Sequence, residues 1–232
     1  MPMQRLPMHQ SDRSAFRKIL GNSAPFILLA LLIIFVLRMV FIGLMGLMPQ
    51  DAYYYFYGQN LALSYFDHPP AIAYLLRFFT DIFGRKVYVI KLADSITTLL
   101  SLFSFYHLCK FFLSTEKVLI ACILLFSTFM ITTLSLVSTP DVPLLLFWTL
   151  SLFTLYKAIF QKKKIYWILS GLLMGCAFDS KYTGIFLPAG LIFFLIISKE
   201  YKKLLLSAWF WLSLMLFALT IFPVVYWNWQ HG

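Results

Sequence analysis

The sequence predicts an all-α polytopic membrane protein, a bundle of membrane-crossing helices with interfacial helices in its first outer loop. Three observations predict it. The chain is 61% hydrophobic and 12% charged, with a mean hydropathy of +0.83, whereas soluble domains carry about 25% charged residues. Apolar runs of about 18 residues or more recur along it, enough to cross a hydrocarbon layer about 30 Å thick. Its basic residues gather in a few short stretches, as they do in cytoplasmic loops. The net charge of +10, from 19 Lys+Arg against 9 Asp+Glu, follows from that rule. No nucleic-acid-binding motif accompanies it, so the expected partners are membrane lipids and not nucleic acid.

Residues 1–25 read as a basic cytoplasmic tail, with Arg5, Arg13, Arg17 and Lys18. Residues 26–232 form the transmembrane domain. Its first segment, 26–48, is too long for a signal-peptide core and lacks a small-residue cleavage site, which makes it a retained anchor. Residues 49–86 are only partly apolar and form an outer loop at the interface. There "YFDHPP" stops one helix and opens another over 71–83. Further segments follow over 87–112, 118–137 and 142–160. Lys110, Glu116 and Lys117 mark an inner turn, and "STPD" at 138–141 an outer one. The stretch 165–198 lies between two basic flanks, "QKKKI" and "KEYKK", and is interrupted by "FDSKYTG". Both flanks belong inside, so it is a hairpin of two short helices with its tip outward. A last helix leaves at about 204, giving about seven membrane segments. By this topology about 13 basic residues lie inside and about four in the outer segment, with Arg38 and Lys181 at membrane depth. Cys109, Cys122 and Cys176 all sit in apolar segments without a CxxC and read as small buried hydrophobes.

The acids then fall mainly on one side. Asp51, Asp67, Asp81, Asp141 and Asp179 lie at or near the outer face, with Asp94 inside a helix. Ionisable groups at membrane depth are costly and are usually functional or paired. Asp51 shares a helical face with Tyr54, Tyr55 and Gly58. It is either a first-turn acid below an aromatic belt or a general base facing a cavity. His68, ahead of two prolines, and Asp67 either turn the chain or take part in chemistry. Asp141 sits between prolines, as an N-cap, as a cavity acid, or as both. Lys181 at the hairpin tip can reach a phosphate as a point charge or pair with Asp179. Lys91 and Arg38 can also bind phosphate, or pair with Asp94. No nucleotide loop, GxSxG, HExxH or paired CxxC is present. Outer-loop aspartates are oxygen ligands that can hold a divalent cation, Asp51 first among them. No cofactor is otherwise implied.

"PQDAYYYFYGQNLALSYFDHPPAIAYLLRFFTDIFG", "STPDVPLLLFWTL", "DSKYTG" and "PVVYWNWQHG" together resemble the bacterial integral-membrane glycosyltransferases of the GT-C fold. These are the protein O-mannosyltransferase-like and aminoarabinose-transferase-like enzymes. The resemblance runs in order from about residue 30 to the end. It implies transfer of a sugar from a polyprenyl-phosphate carrier to a lipid, glycan or protein acceptor, as in lipopolysaccharide or protein glycosylation. The reaction would take place on the outer face of the bacterial inner membrane, with the N-terminus cytoplasmic. By position, Asp51 would be the base or metal ligand, Asp141 the second outer acid and Lys181 the hairpin cation. Catalytic candidates are therefore Asp51, Asp141 and His68. Lys181, Lys91 and Arg38 are candidates for the lipid phosphate, and Tyr54, Tyr55 and Asp67 for the sugar or acceptor cavity. Relatives read Asp-Glu-Ala-Tyr-Tyr where this chain has Gln50-Asp51-Ala52, and they are longer, which implies that this is an N-terminal half. The alternative reading is a non-catalytic or partial protein of the same fold that binds or helps flip a lipid-linked sugar. Transport is disfavoured, because the acids lie towards one face instead of the midplane.

Overall fold

The structure is a computed structural model in which residues 36 and 40–231 are described. Arg38 and most of the first predicted segment lie outside them. Contacts divide the chain into two units, Met1–Met45 and Gly46–Gly232. In the first, residues 40–44 are helical. Among the described residues there is no strand.

The second unit opens with α1 (Pro49–Gln59). Pro49 occupies the first turn, where a missing N–H costs nothing. The Asp51 carboxylate accepts from the Met48 N–H at 2.7 Å, closing the helix start. One face of α1, Asp51, Tyr54 and Gly58, is buried. Helix α2 (Ala71–Phe83) starts after the paired prolines, as the sequence predicts, and ends at Gly84, whose φ of +89° needs a glycine. Buried Tyr54 of α1 packs with Ile72, Leu76 and Phe79 of α2, and with Val89, Ile90 and Ala93 beyond. The loop between α1 and α2 is tied down by tyrosines. Tyr53 and Tyr57 donate to the two oxygens of Asp67 at 2.9 and 2.8 Å, and the Tyr57 and Tyr65 rings stack at 4.0 Å.

Helix α3 (Val87–Cys109) then runs the length of the bundle. The predicted segment 118–137 is broken into α4 (Thr115–Phe126) and the single-turn α5 (Phe129–Leu134). The cause is local. Ser127 and Thr128 turn their hydroxyls onto the Leu124 and Leu125 carbonyls at 3.0 and 2.7 Å, and Thr128 also caps α5 through the Ile131 N–H. These bonds compete with the helical ladder. Helix α6 (Asp141–Ile159) follows. Next come α7 (Ile165–Ser180), a 3₁₀ turn (Tyr182–Ile185) and α8 (Phe186–Ile197), so the stretch 165–198 is two short helices broken at the 3₁₀ turn. A second 3₁₀ turn (Lys202–Leu206) leads into α9 (Ala208–His231). Helices α3, α6 and α9 are long and apolar enough to cross a membrane, while residues 117–126, 165–180 and 182–197 are shorter apolar helices. The protein is an all-α, polytopic integral membrane protein.

Helix α3 packs on α6, α6 on α7 and α7 on α9. The core of this row holds Leu155, Trp167, Met174, Leu191, Phe210 and Phe217. Helices α7 and α9 approach closely at Gly171 and Gly175, four residues apart. A Cβ on Gly171 would overlap the Ser213 backbone carbonyl, and one on Gly175 would overlap the Thr220 side chain. The Ser170 and Ser213 hydroxyls meet beside them at 3.2 Å. In lipid, where apolar burial between helices gains little, such small-residue contacts hold helices together.

Two outcomes follow from this packing. Gly171→Val must push α9 away from backbone atoms and should cost about 1–3 kcal/mol, read as a lower Tm in detergent. Gly190→Ala, where a Cβ meets nothing within 4 Å, should be neutral or stabilising. The loop makes a pH prediction. Burial alone pushes the Asp67 carboxyl up, but the Tyr57 and Tyr53 hydroxyls outweigh it and hold it below its usual range. Its contribution to stability is therefore complete above the ordinary carboxylate range and is lost as pH falls through that range. Asp67→Asn should flatten the fall of Tm between about pH 5 and pH 3.

Candidate functional site

Helix α3 carries a line of buried polar residues, Lys91, Asp94, Ser95, Thr98 and Ser101, spaced three or four apart on one face. They face the irregular stretch between α5 and α6. Backbone without helical partners is tolerated at membrane depth only where protein satisfies it. Here α3 supplies the donors. Thr98 Oγ1 donates to the Leu134 carbonyl at 3.3 Å, Ser95 Oγ to that of Ser135 at 2.6 Å and Lys91 Nζ to that of Leu136 at 2.6 Å. Ser138 Oγ returns a bond to Asp94 Oδ2 at 2.7 Å.

Asp51 closes this network. Lys91 Nζ donates to its Oδ2, and both side chains are 0% exposed. The Ser138 N–H donates to Oδ1 at 2.8 Å, and the Met48 N–H is the third donor. One carboxylate thus joins α1, α3 and the connector into α6. Three residues after Ser138 comes a second pair. Lys181 Nζ lies 2.9 and 3.0 Å from the two oxygens of Asp141, each side chain 33% exposed. Asp141 is the first residue of α6 and not its N-cap, which is Pro140. Its charge still suits the positive end of the helix. Both lysines therefore have partners other than those nearest in sequence: Lys181 takes Asp141 over Asp179, and Lys91 takes Asp51 over Asp94.

Tyr54 lies one turn along α1 from Asp51 and within electrostatic reach of Asp141. Burial raises its phenol first, and the carboxylates of Asp67 and Asp141, with Tyr53, raise it further. The His68 ring stands 6.0 Å from that of Tyr54. Tyr55 packs, half-buried, against the α1–α2 core. Asp51, Lys91, Asp141, Lys181, Tyr54, Asp67 and His68 thus come together at one end of the second unit. Beside them is a cavity of about 340 Å³ lined by Ala71, Tyr74, Phe78, Thr97, Phe147 and Asp179, among others. Asp179 Oδ1 is buried without a hydrogen-bond partner. No group of three or more His, Cys, Asp or Glu suited to a metal occurs among the described residues. Both Asp51 oxygens already accept hydrogen bonds, so a cation there would have to displace Lys91.

Sequence reasoning did not single out Ser95, Thr98 or Ser138. Their signal is present in "KLADSITTLLS", a helical stripe of polar residues inside an apolar helix.

Comparison with known proteins bears on this geometry. A relative, the lipid A galacturonosyltransferase RgtD of Rhizobium johnstonii, is 27% identical over 196 residues. These cover 78% of this chain and 38% of that protein, so the chain spans less than half the length of the curated relative it matches. No solved structure matches the chain. The dolichyl-phosphate-mannose-protein mannosyltransferase family matches residues 67–227, a stretch that holds α2 to α9 and with them Lys91, Asp141 and Lys181. The chain belongs to that family of GT-C glycosyltransferases.

Proposed function

We propose that the chain moves a sugar from a polyprenyl-phosphate carrier to a lipid, glycan or protein acceptor. The observation that carries this reading is the presence of two carboxylate–lysine pairs, Asp51–Lys91 and Asp141–Lys181, linked through Ser138, which bonds to Asp51 three residues before Asp141. Such pairs can exchange partners. A carrier phosphate that enters takes the ammonium of Lys181, and then that of Lys91, and leaves each carboxylate without its cation. A carboxylate so released accepts the proton of the acceptor hydroxyl. The acceptor oxygen bonds to the anomeric carbon as the bond from that carbon to the phosphate oxygen breaks. Lysines hold the charge on the departing polyprenyl phosphate. Asp141 and Lys181, a third exposed, are placed to react first. Asp51 serves once Lys91 has turned to phosphate. The cavity beside Tyr74 would take the apolar segment next to the carrier phosphate.

The lysine-rich turns at 162–164 and 199–203 would face the cytoplasm. That orientation puts the paired acids on the outer face of a bacterial inner membrane. The relative's name makes lipid A the first acceptor to try and a galacturonosyl carrier the first donor. One observation favours a second reading, a non-catalytic protein that binds a lipid-linked sugar: Asp51 is wholly enclosed.

The test is sugar transfer from a labelled polyprenyl-phosphate donor in membranes containing the chain. Asp141→Asn and Lys181→Met should each lower transfer by about 10²-fold or more at matched Tm. Asp51→Asn alone should unfold the loop. The double variant Asp51→Asn with Lys91→Met strands no charge, so it should recover Tm but not transfer. Carrier binding without turnover by the wild type would make the protein a binder.

A further inference from the structure

At the opposite end of the second unit, about 27 Å along α3 from Lys91 by helix rise, lies a different cavity. It holds about 370 Å³ and runs along α6 and α8, with Trp148, Tyr156, Phe160, Gly190 and Phe194 in its walls. From Trp148 to Phe160 it follows α6 for about 18 Å, the reach of a hydrocarbon chain and not of a compact solute. Its walls are apolar, but its mouth is not. Phe160 is followed, after Gln161, by Lys162, Lys163 and Lys164, and the Tyr201 ring contacts Phe160 and Phe194 at 5.2 and 6.0 Å. Tyr201 belongs to the turn that carries Lys199, Lys202 and Lys203, so its contact brings that stretch of chain to this end of the cavity.

These six lysines are exposed, and none has an ion-pair partner among the described residues. Lys162 holds a left-handed backbone, φ +55°, an unfavourable conformation for a side chain that usually marks a constrained site. The Lys163 N–H bonds back to the Lys157 carbonyl at 3.1 Å and holds the turn against α6. Glu200 is the one acid in these two turns, which leaves a net excess of five cations; a groove for a chain that opens onto them at a membrane surface matches an amphiphile with an anionic head.

We propose that this groove binds an anionic phospholipid of the surrounding bilayer. One acyl chain would lie between α6 and α8, and the phosphate among the two lysine turns. The site is separate from the paired acids and does not depend on the transfer reaction. Its partner comes from the leaflet on the lysine side.

Native mass spectrometry of the full chain, released from detergent with added phosphatidylglycerol or phosphatidylcholine, tests it. Wild type should retain phosphatidylglycerol about fivefold or more over phosphatidylcholine. Replacing Lys162, Lys163 and Lys164 by Gln should bring the two lipids level. Gly190→Phe, or Gly190→Leu should the first fail to fold, fills open space and should lower retention of both at unchanged Tm. Equal retention of the two lipids by wild type would overturn the proposal. So would full retention in the Gly190 variant, or displacement of phosphatidylglycerol by inorganic phosphate.

Discussion

The ion pair between Asp51 and Lys91 is the interaction on which the arrangement of the candidate site depends. Two charges are held with no exposure at all, and desolvating each costs several kcal/mol. Their mutual attraction is supplemented by further hydrogen bonds to both groups. Lys91 also donates to the Leu136 carbonyl, and Asp51 also accepts from the Ser138 and Met48 amides. Three pieces of chain far apart in sequence are thereby fixed against one another. If one partner is lost, the other becomes an uncompensated buried charge, a penalty of about 3–5 kcal/mol.

From that pair the rest of the site follows. Asp51 sets the rotation of α1, which turns Tyr54 inward and Tyr53 and Tyr57 towards Asp67. Its bond to Ser138 fixes where the irregular connector ends, and so where α6 begins. Asp141, three residues on, is thereby brought to the break between α7 and α8 and to Lys181. The polar stripe of α3 makes the irregular connector possible, since Thr98, Ser95 and Lys91 supply donors to the carbonyls of Leu134, Ser135 and Leu136 where the helical ladder ends. The two acid–lysine pairs have the same chemistry and different surroundings. One is sealed, at 0% exposure, and organises the fold; the other is 33% exposed and can meet a solute.

Much of this was legible in the sequence where the physics is local. Paired prolines fix the start of α2 at Ala71, and "FDSKYTG" marks the break between α7 and α8. The face shared by Asp51, Tyr54 and Gly58 follows from helical spacing alone. Local reasoning failed where an apolar average hid a polar detail. Ser127 and Thr128 break a segment whose hydropathy looks continuous. The cation partners were beyond it altogether. Lys91 and Lys181 each bond to an aspartate 40 residues away, while nearer acids, Asp94 and Asp179, were the visible candidates. The spacing of Gly171 and Gly175 was equally visible, but its meaning depends on Ser213 and Thr220 across the α7–α9 contact.

The treatment of lysines separates the two ends of the second unit. Lys91 and Lys181 are each matched to a carboxylate of this chain, and in both cases that carboxylate sits near the start of a helix, with the dipole in its favour. Within each pair the two charges cancel, so neither is left uncompensated where the surroundings are poorly solvated. The lysines of residues 162–164 and 199–203 have no such match among the described residues, and no buried network constrains them. Glu200 offsets one of these six charges, and the net positive charge that remains is balanced from outside the protein. An anionic membrane surface would offer that balance, so the same residue type is paired and fixed within the fold at one end and left exposed at the other.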